Sequence, residues 1–426
     1  MKVVEIAVAA MREGYICDHC LGRLYANLLT GMTNRERGKI VRRFIALLID
    51  SGEKIKIDDS NLIGIKLRNV RLEKKEVGKC KICGNFFEEK IDDLVEKIVE
   101  EVKDIEFDTF LIGSIPTDEM LKNEEKIWEM VGVEYVESIK SEINREIGKK
   151  VRKILGKTHE SKVPDVSIIV DLKRYRIKVG IRSLYIYGEY KKLKRGIPQA
   201  KWLCPNCRGK GCRKCKGTGK LYRTSVQEII EKPLLKVTKG ERTKFSGMGR
   251  EDIDARCLDY RPFVIEVVKP KVRKIKLKEI ERKINKSKMV KVRRLKFVTK
   301  DVIRRIKSAR VDKTYRAIVT FKRKIDPKKL TKLRELVKEP IMQKTPLRVI
   351  HRRADKLRKR RVRSISWKIL GKRKLELKIR GETGLYIKEL INGDKGRTKP
   401  SVAEILENDV KDIKLDVVKI HAKGIL

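Results

Sequence analysis

"GMGREDIDARCLDYRPF", residues 247–263, decides how this chain is read. Three aspartates, Asp252, Asp254 and Asp259, fall within eight positions of a strongly basic chain. Either they balance charge, or one of them does chemistry on something the basic chain holds. The stretch runs straight into "FVIEVVKP", which alternates as a strand does. Further strands follow in "VKVRRLKFVT", "YRAIVTFK", "RSISWKILGKRKLELKIRGET" and the tail "DIKLDVVKIHAKGIL". Helical spacing appears in "LKEIERKINKS", "DPKKLTKLREL" and "LYIKELING". Strands outnumber helices, which predicts an α+β domain with a mixed, mostly antiparallel sheet over residues 226–426.

Upstream, residues 1 to about 50 read as helical and 54–90 as strand-like. "IDDLVEKIVEEVKDIEF" is an amphipathic helix, "TFLIGSI" a strand, and "EEKIWEMVGVEYVESIKSEINREIGKKVRKIL" one or two helices. "DVSIIVDLKRYRIKVGIRSLYIYGEYKKL" alternates like two strands joined by a turn. The Cys- and Gly-rich stretch 201–220 marks a domain boundary, so residues 1–225 form an accessory region.

The net charge of +50 and a pI near 10.0 call for a polyanionic partner, nucleic acid first. Hydrophobic residues at 40% exclude a disordered polymer. No run of 18 apolar residues and no Met-Gly start appear, so no membrane partner is expected. The opening residues are too charged for a signal peptide, and a cytoplasmic protein is expected.

Eight of the nine cysteines fall in four Cys-x-x-Cys pairs. In a reducing compartment such pairs point to metal before disulfide. Cys17 and Cys20 with Cys80 and Cys83 complete one tetrahedral zinc site. Cys204, Cys207, Cys212 and Cys215 complete a second within one tight knuckle. Neither set leaves an open fourth position, so the zinc is structural. Cys257 stands alone and reads as a small core residue.

Two further stretches join the Asp cluster. In chain order the motifs are Arg250-Glu251-Asp252, Lys313-Thr314-Tyr315 and Gly384-Leu385-Tyr386-Ile387-Lys388. Together they resemble the Arg-x-Asp, Lys-x-Tyr and Gly-x-Tyr-Ile-Lys/Arg motifs of pseudouridine synthases. "KFSGMGREDIDARCLDYRPFVIEV", "TPLRVIHRRADKLRKRRV" and "LYIKELINGDKGRTKPSVAEIL" are similar to the archaeal and eukaryotic T-loop-modifying Pus-ten family. In that family a THUMP-like RNA-binding domain precedes the catalytic domain, and here it would span about 85–200.

The resemblance implies isomerisation of uridine to pseudouridine at positions 54 and 55 of the tRNA T loop, with no organic cofactor. It makes Asp252 the catalytic carboxylate, able to add to base or sugar. Asp254 and Asp259 would then pair with nearby arginines. Tyr315 would stack on the flipped base and help move a proton. Lys388, where related families often carry Arg, would keep Asp252 ionised. Tyr386 lines the pocket or packs at a helix start, and Arg250 and Arg256 contact phosphates around the base. The runs "HRRADKLRKRRVR" and "KVRRLKF" would grip the tRNA backbone. A monomer is expected.

The competing reading is a non-catalytic, zinc-containing THUMP-type tRNA-binding protein, which leaves the three ordered motifs unexplained. A methyltransferase lacks its Gly-rich loop after a strand, and a thiolation enzyme its nucleotide-phosphate loop.

Overall fold

The computed structural model describes residues 3–73 and 76–422, and the chain divides into two compact units, Met1–Arg182 and Ser183–Leu426. The division expected near 225 therefore falls some forty residues earlier. The reason is a single strand. Leu184–Lys192, which the sequence joins to the preceding strands, hydrogen-bonds instead into the sheet of the second unit.

The first unit opens with helices α1 (Val3–Arg12), α2 (Asp18–Arg23) and α3 (Asn34–Asp50). Thr33 and Glu36 cap α3 reciprocally, satisfying two otherwise orphaned donors. Residues 54–90 form no strand among the described residues, against the sequence expectation. Local turns and side chains take their backbone groups instead: Asn61 N donates to Asp58 O and Ile65 N to Leu62 O, and the Asp50 carboxylate accepts from the amides of Arg68 and Asn69. Asn61 donates to the carbonyls of Met11, Gly14 and Asp58.

Next come α4 (Ile91–Val102), β1 (Thr109–Ile115), α5 (Asp118–Val131), α6 (Ile139–Leu155), β2 (Val166–Asp171) and β3 (Arg176–Ile181). Gly132, at φ 78°, ends α5, so the long helical stretch is two helices. Ile139, Ile143, Ile147 and Val151 recur at helical spacing on α6 and are buried against β1. β1 pairs in parallel with β2, and β2 antiparallel with β3.

The second unit contains β4 (Leu184–Lys192), α7 (Val226–Thr238), β5 (Arg242–Gly247), β6 (Arg256–Val268), α8 (Leu277–Asn285) and β7 (Val290–Val298). It continues with β8 (Lys313–Phe321), β9 (Val362–Gly371), β10 (Lys374–Gly381), α9 (Ile387–Asn392) and β11 (Val410–Ile420). The large sheet runs β9-β10-β8-β11-β6-β4-β7, with β5 also on β6. Within it β11 and β6 run parallel, over Asp416↔Arg256 and Val417↔Cys257; the other pairings are antiparallel. Phe263, Val264 and Ile265 are consecutive and all buried, as a central strand covered on both faces requires. The expected mixed, mostly antiparallel α+β architecture is what forms.

Candidate active site

Three segments meet around a cavity of about 510 Å³ in the second unit, within the range of small-molecule sites. They are the turn 249–255 between β5 and β6, Lys313 and Tyr315 on β8, and residues 383–388 leading into α9. These are the three motifs of the sequence, brought together by the sheet order. A fourth segment, Arg348 to Arg353, closes the rim.

The Asp252 side chain is 30% exposed and has two cations beside it. Arg348 Nη1 donates to its Oδ1 at 2.8 Å, and Lys388 Nζ lies 3.7 Å from Oδ2. Lys388 sits closer to Asp254, at 2.6 and 2.8 Å. Burial works against the Asp254 charge, but the Lys388 ammonium outweighs it and holds that carboxyl below its ordinary range. Thus Asp254 pairs with a lysine. Among the described residues Asp259 shows no arginine partner either: its carboxylate accepts from the amides of Tyr260 and Ile420. The three aspartates have three different jobs.

Arg348 also donates from Nε to Glu389 Oε1 at 2.6 Å, so a buried carboxylate fixes the guanidinium that reaches Asp252. Arg348 lies in the family-like stretch "TPLRVIHRRADKLRKRRV", just before the basic run, and the sequence assigned it no role. Tyr386 lines the cavity: Arg353 donates to its hydroxyl at 2.6 Å, and Gln343 bonds both its amide and its carbonyl. Burial pushes the Tyr315 phenol up to about 12, with Arg261 pulling the other way, so at neutral pH it is an uncharged donor. Burial brings the neighbouring Lys313 down to about 8.

The turn is held from beneath by a buried polar cluster. The Glu251 side chain is fully buried and pairs with Arg261 at 3.1 Å and Lys192 at 3.7 Å, while Tyr190 donates to it at 2.9 Å. Backbone carbonyls take the remaining donors. Arg261 reaches Met248, Gln199 reaches Gly249, and Lys192 reaches Asp252 at 2.9 Å and Ile253 at 3.3 Å. Gly249 takes φ +69°, a left-handed conformation that side chains avoid and glycine adopts freely. Of the two arginines expected near the substrate, Arg250 lines the cavity and lies 5.7 Å over the Trp202 ring. Arg256 is directed elsewhere, to a bidentate pair with Asp416, which also binds Arg195 and Arg316.

The cysteines assemble as two sets of four. Cys17 Sγ and Cys83 Sγ are 3.6 Å apart; in the knuckle the spacings are 3.7 to 3.9 Å. A tetrahedral ion with bonds of about 2.3 Å to sulfur needs S···S of about 3.8 Å, so both sets can hold a metal ion. Backbone amides of Cys17, Gly211, Cys212 and Gly219 point at sulfurs, which favours thiolates.

Residues 94–171 match the family model described as "Pus10 THUMP domain, archaeal", and residues 185–421 the one described as "Pus10, C-terminal". The matches fall on either side of the structural division. They define a THUMP domain followed by a pseudouridine synthase domain, an isomerase. The chain belongs to the Pus10 family. It is 39% identical to the tRNA pseudouridine synthase Pus10 of Methanothrix thermoacetophila, over 98% of this chain and 94% of that one. It is 43% identical to the protein of that name from Methanocaldococcus jannaschii, over 100% of this chain and 96% of that one. A solved Cbf5–Nop10–Gar1 complex is similar over 53% of this chain and 47% of that chain, at 15% identity and a TM-score of 0.29, too low to define a fold.

Proposed function

We propose that the chain isomerises uridine to pseudouridine in the T loop of tRNA, at positions 54 and 55, with Asp252 as nucleophile. The observation that carries this reading is the Asp252 carboxylate in a nucleotide-sized cavity, flanked by Arg348 and Lys388. The reaction breaks the bond between C1′ and N1 and forms one between C1′ and C5. The C5 proton leaves and N1 gains one, so no oxidant or cofactor is consumed. Asp252 forms the covalent intermediate, on base or sugar, that separates these steps. Arg348 and Lys388, one beside each carboxylate oxygen, hold it in place. Tyr315, uncharged at neutral pH, stacks on the uracil and helps move the proton that C5 loses and N1 gains. Arg250 contacts the flanking phosphates; Arg256, tied to Asp416, orders β6 and β11.

Both cysteine sets take structural Zn²⁺. The protein acts as a monomer in the cytoplasm; among the described residues no helix is long and apolar enough to cross a membrane.

The experiment is pseudouridine mapping on unmodified tRNA with wild-type protein and Asp252→Ala. Wild type is expected to convert T-loop uridines, while the variant binds tRNA and converts none. A variant that still converts them removes Asp252 from the mechanism. Tight binding without conversion by either protein would support the RNA-binding reading instead.

A further inference from the structure

The two cysteine sets differ in what surrounds them. Around the first set all four cysteines are buried. The only guanidinium near its sulfurs, among the described residues, is Arg23, itself 0% exposed, with Nη1 3.8 Å from Cys20 Sγ. There the cation is shared between the Cys20 sulfur and the buried carboxylates of Glu124 and Glu142. In the knuckle three of the four cysteines are partly exposed. Its donors to sulfur are the Asn206 amide at 3.5 Å and backbone amides of Gly211, Cys212 and Gly219, each at 3.2 Å. Arg208, Lys210, Arg213, Lys214 and Lys216 all lie exposed. Among the described residues none of these five side chains bonds a sulfur or a carboxylate. No Asp or Glu occurs between Glu189 and Glu228. Four thiolates around a divalent ion carry a net charge of −2, and five cations exceed what they need.

The knuckle also has a fixed position relative to the cavity. Its stem is a two-stranded ladder: Cys204 N donates to Gly219 O and Leu221 N to Trp202 O. Lys201 N donates to the Gln227 side chain on α7. At the base of the stem Trp202 lines the cavity, with Arg250 over its ring and Tyr222 against it edge-on at 5.7 Å. The knuckle loops cross so closely that a Cβ on Gly219 would lie 2.3 Å from Gly209 O. The cations are thus mounted on a stiff arm that begins at the cavity wall.

We propose that residues 201–223 are a clamp for the RNA strand flanking the target nucleotide. The knuckle cations neutralise its phosphates, and a base next to the target stacks on Trp202. The clamp rests on the tRNA reading above and deepens it. A nucleotide turned into the cavity drags its neighbours across the rim, and the rim at Trp202 leads onto exposed cations with no acidic residue in the same stretch. Phosphate contacts there set position, and the indole accepts any base.

The test uses the full-length protein carrying Arg208→Ala, Lys210→Ala, Arg213→Ala and Lys214→Ala together. A control removes Lys368, Lys372, Arg373 and Lys374, exposed at the β9–β10 turn. That turn is roughly 25 Å, the length of β10, from the Gly381 end. Zinc content, the affinity for unmodified tRNA across a salt series, and KM against kcat are measured for each. Each phosphate left without its cation flattens the log–log salt dependence by about 0.7, so the knuckle variant should lose about 2 to 3 from the slope. Its KM should rise at least five-fold more than its kcat falls, with zinc retained. Trp202→Ala should weaken binding about ten-fold and Trp202→Phe much less. Loss of zinc from the knuckle variant, an unchanged slope, or an equal loss in the control overturns the clamp. Wild-type protein that neither binds tRNA nor isomerises its uridines overturns the proposed function itself.

Discussion

The Lys192 side chain is 0% exposed, where burial lowers its pKa against the pull of Glu251, and it donates to the backbone carbonyls of Ile197, Asp252 and Ile253. Its partner Glu251 occupies the middle of the Arg-Glu-Asp motif, where the sequence treats the residue as interchangeable. The structure shows the opposite. Asp252 faces the cavity because its neighbour faces the core. Lys192→Met leaves Glu251 with Arg261 as its one cation and takes a donor from three carbonyls. Breaking a buried pair costs about 3–5 kcal/mol. Loosening a catalytic group by about 1 Å costs on the order of 10²-fold in rate. The expected outcome is a loss in kcat of that order with KM little changed, read from initial rates at saturating and limiting tRNA; equal changes in both would assign Lys192 to substrate binding. Lys313 gives a second prediction. Its ordinary value is 10.5, and burial, with Arg261 nearby, brings it to about 8. Between those values the unfolded chain holds a proton that the folded chain has released, so stability rises with pH across the window. Below about 8 both states carry the charge and the cost of burying it, about 3 kcal/mol, is fully present. Lys313→Met should therefore raise the denaturant midpoint at pH 7 and lose most of that advantage by pH 10. Asp252, Tyr315, Tyr386 and Lys388 were legible because they sit in spaced motifs. Lys192, Arg261 and Arg348 were not, because isolated lysines and arginines in so basic a chain carry no signal until tertiary contacts assign them.

β4 shows why elements were easier to find than to place. Its alternation is clear, and so is that of β2 and β3 before it, yet period 2 says nothing about which sheet a strand joins. Only Arg182 and Ser183 separate the end of β3 from β4. Once folded, β4 lies between β6 and β7 and carries Ile186, Tyr190 and Lys192 into the core. Residues 54–90 differ for a related reason: their apolar residues pack, but local turns and the Asp50 carboxylate, rather than a ladder, take the backbone groups. A truncation makes the point measurable. Residues 183–426 should fold alone, with a cooperative melt. Residues 226–426, the division the sequence favoured, lack a central strand, and should show no cooperative transition and bind a hydrophobic dye. A cooperative melt for the shorter fragment would mean that β6 and β7 can close the sheet without β4.

Across the whole molecule the charge is unevenly divided. Residues 1–182 carry 35 Lys and Arg against 32 Asp and Glu, a net of +3; residues 183–426 carry 73 against 26, a net of +47. From the sequence alone +50 is a property of the chain, and the structural division assigns nearly all of it to the unit that holds Asp252. A near-neutral THUMP-containing unit releases few counterions, so its contribution to tRNA binding rests on shape and hydrogen bonds, which depend little on salt. The catalytic unit supplies the long-range field, which raises the rate of encounter and falls steeply with ionic strength. The expected outcome is that residues 183–426 alone keep most of the salt slope of the full chain while losing affinity by a factor that stays nearly constant across a salt series of about 50 to 200 mM. Residues 1–182 alone should bind tRNA weakly with a shallow slope. Fluorescence anisotropy of the three proteins with one labelled tRNA distinguishes the cases. A slope divided evenly between the fragments would mean that the few cations of the first unit are concentrated on an RNA-facing surface, and that net charge is a poor guide to where the backbone is held.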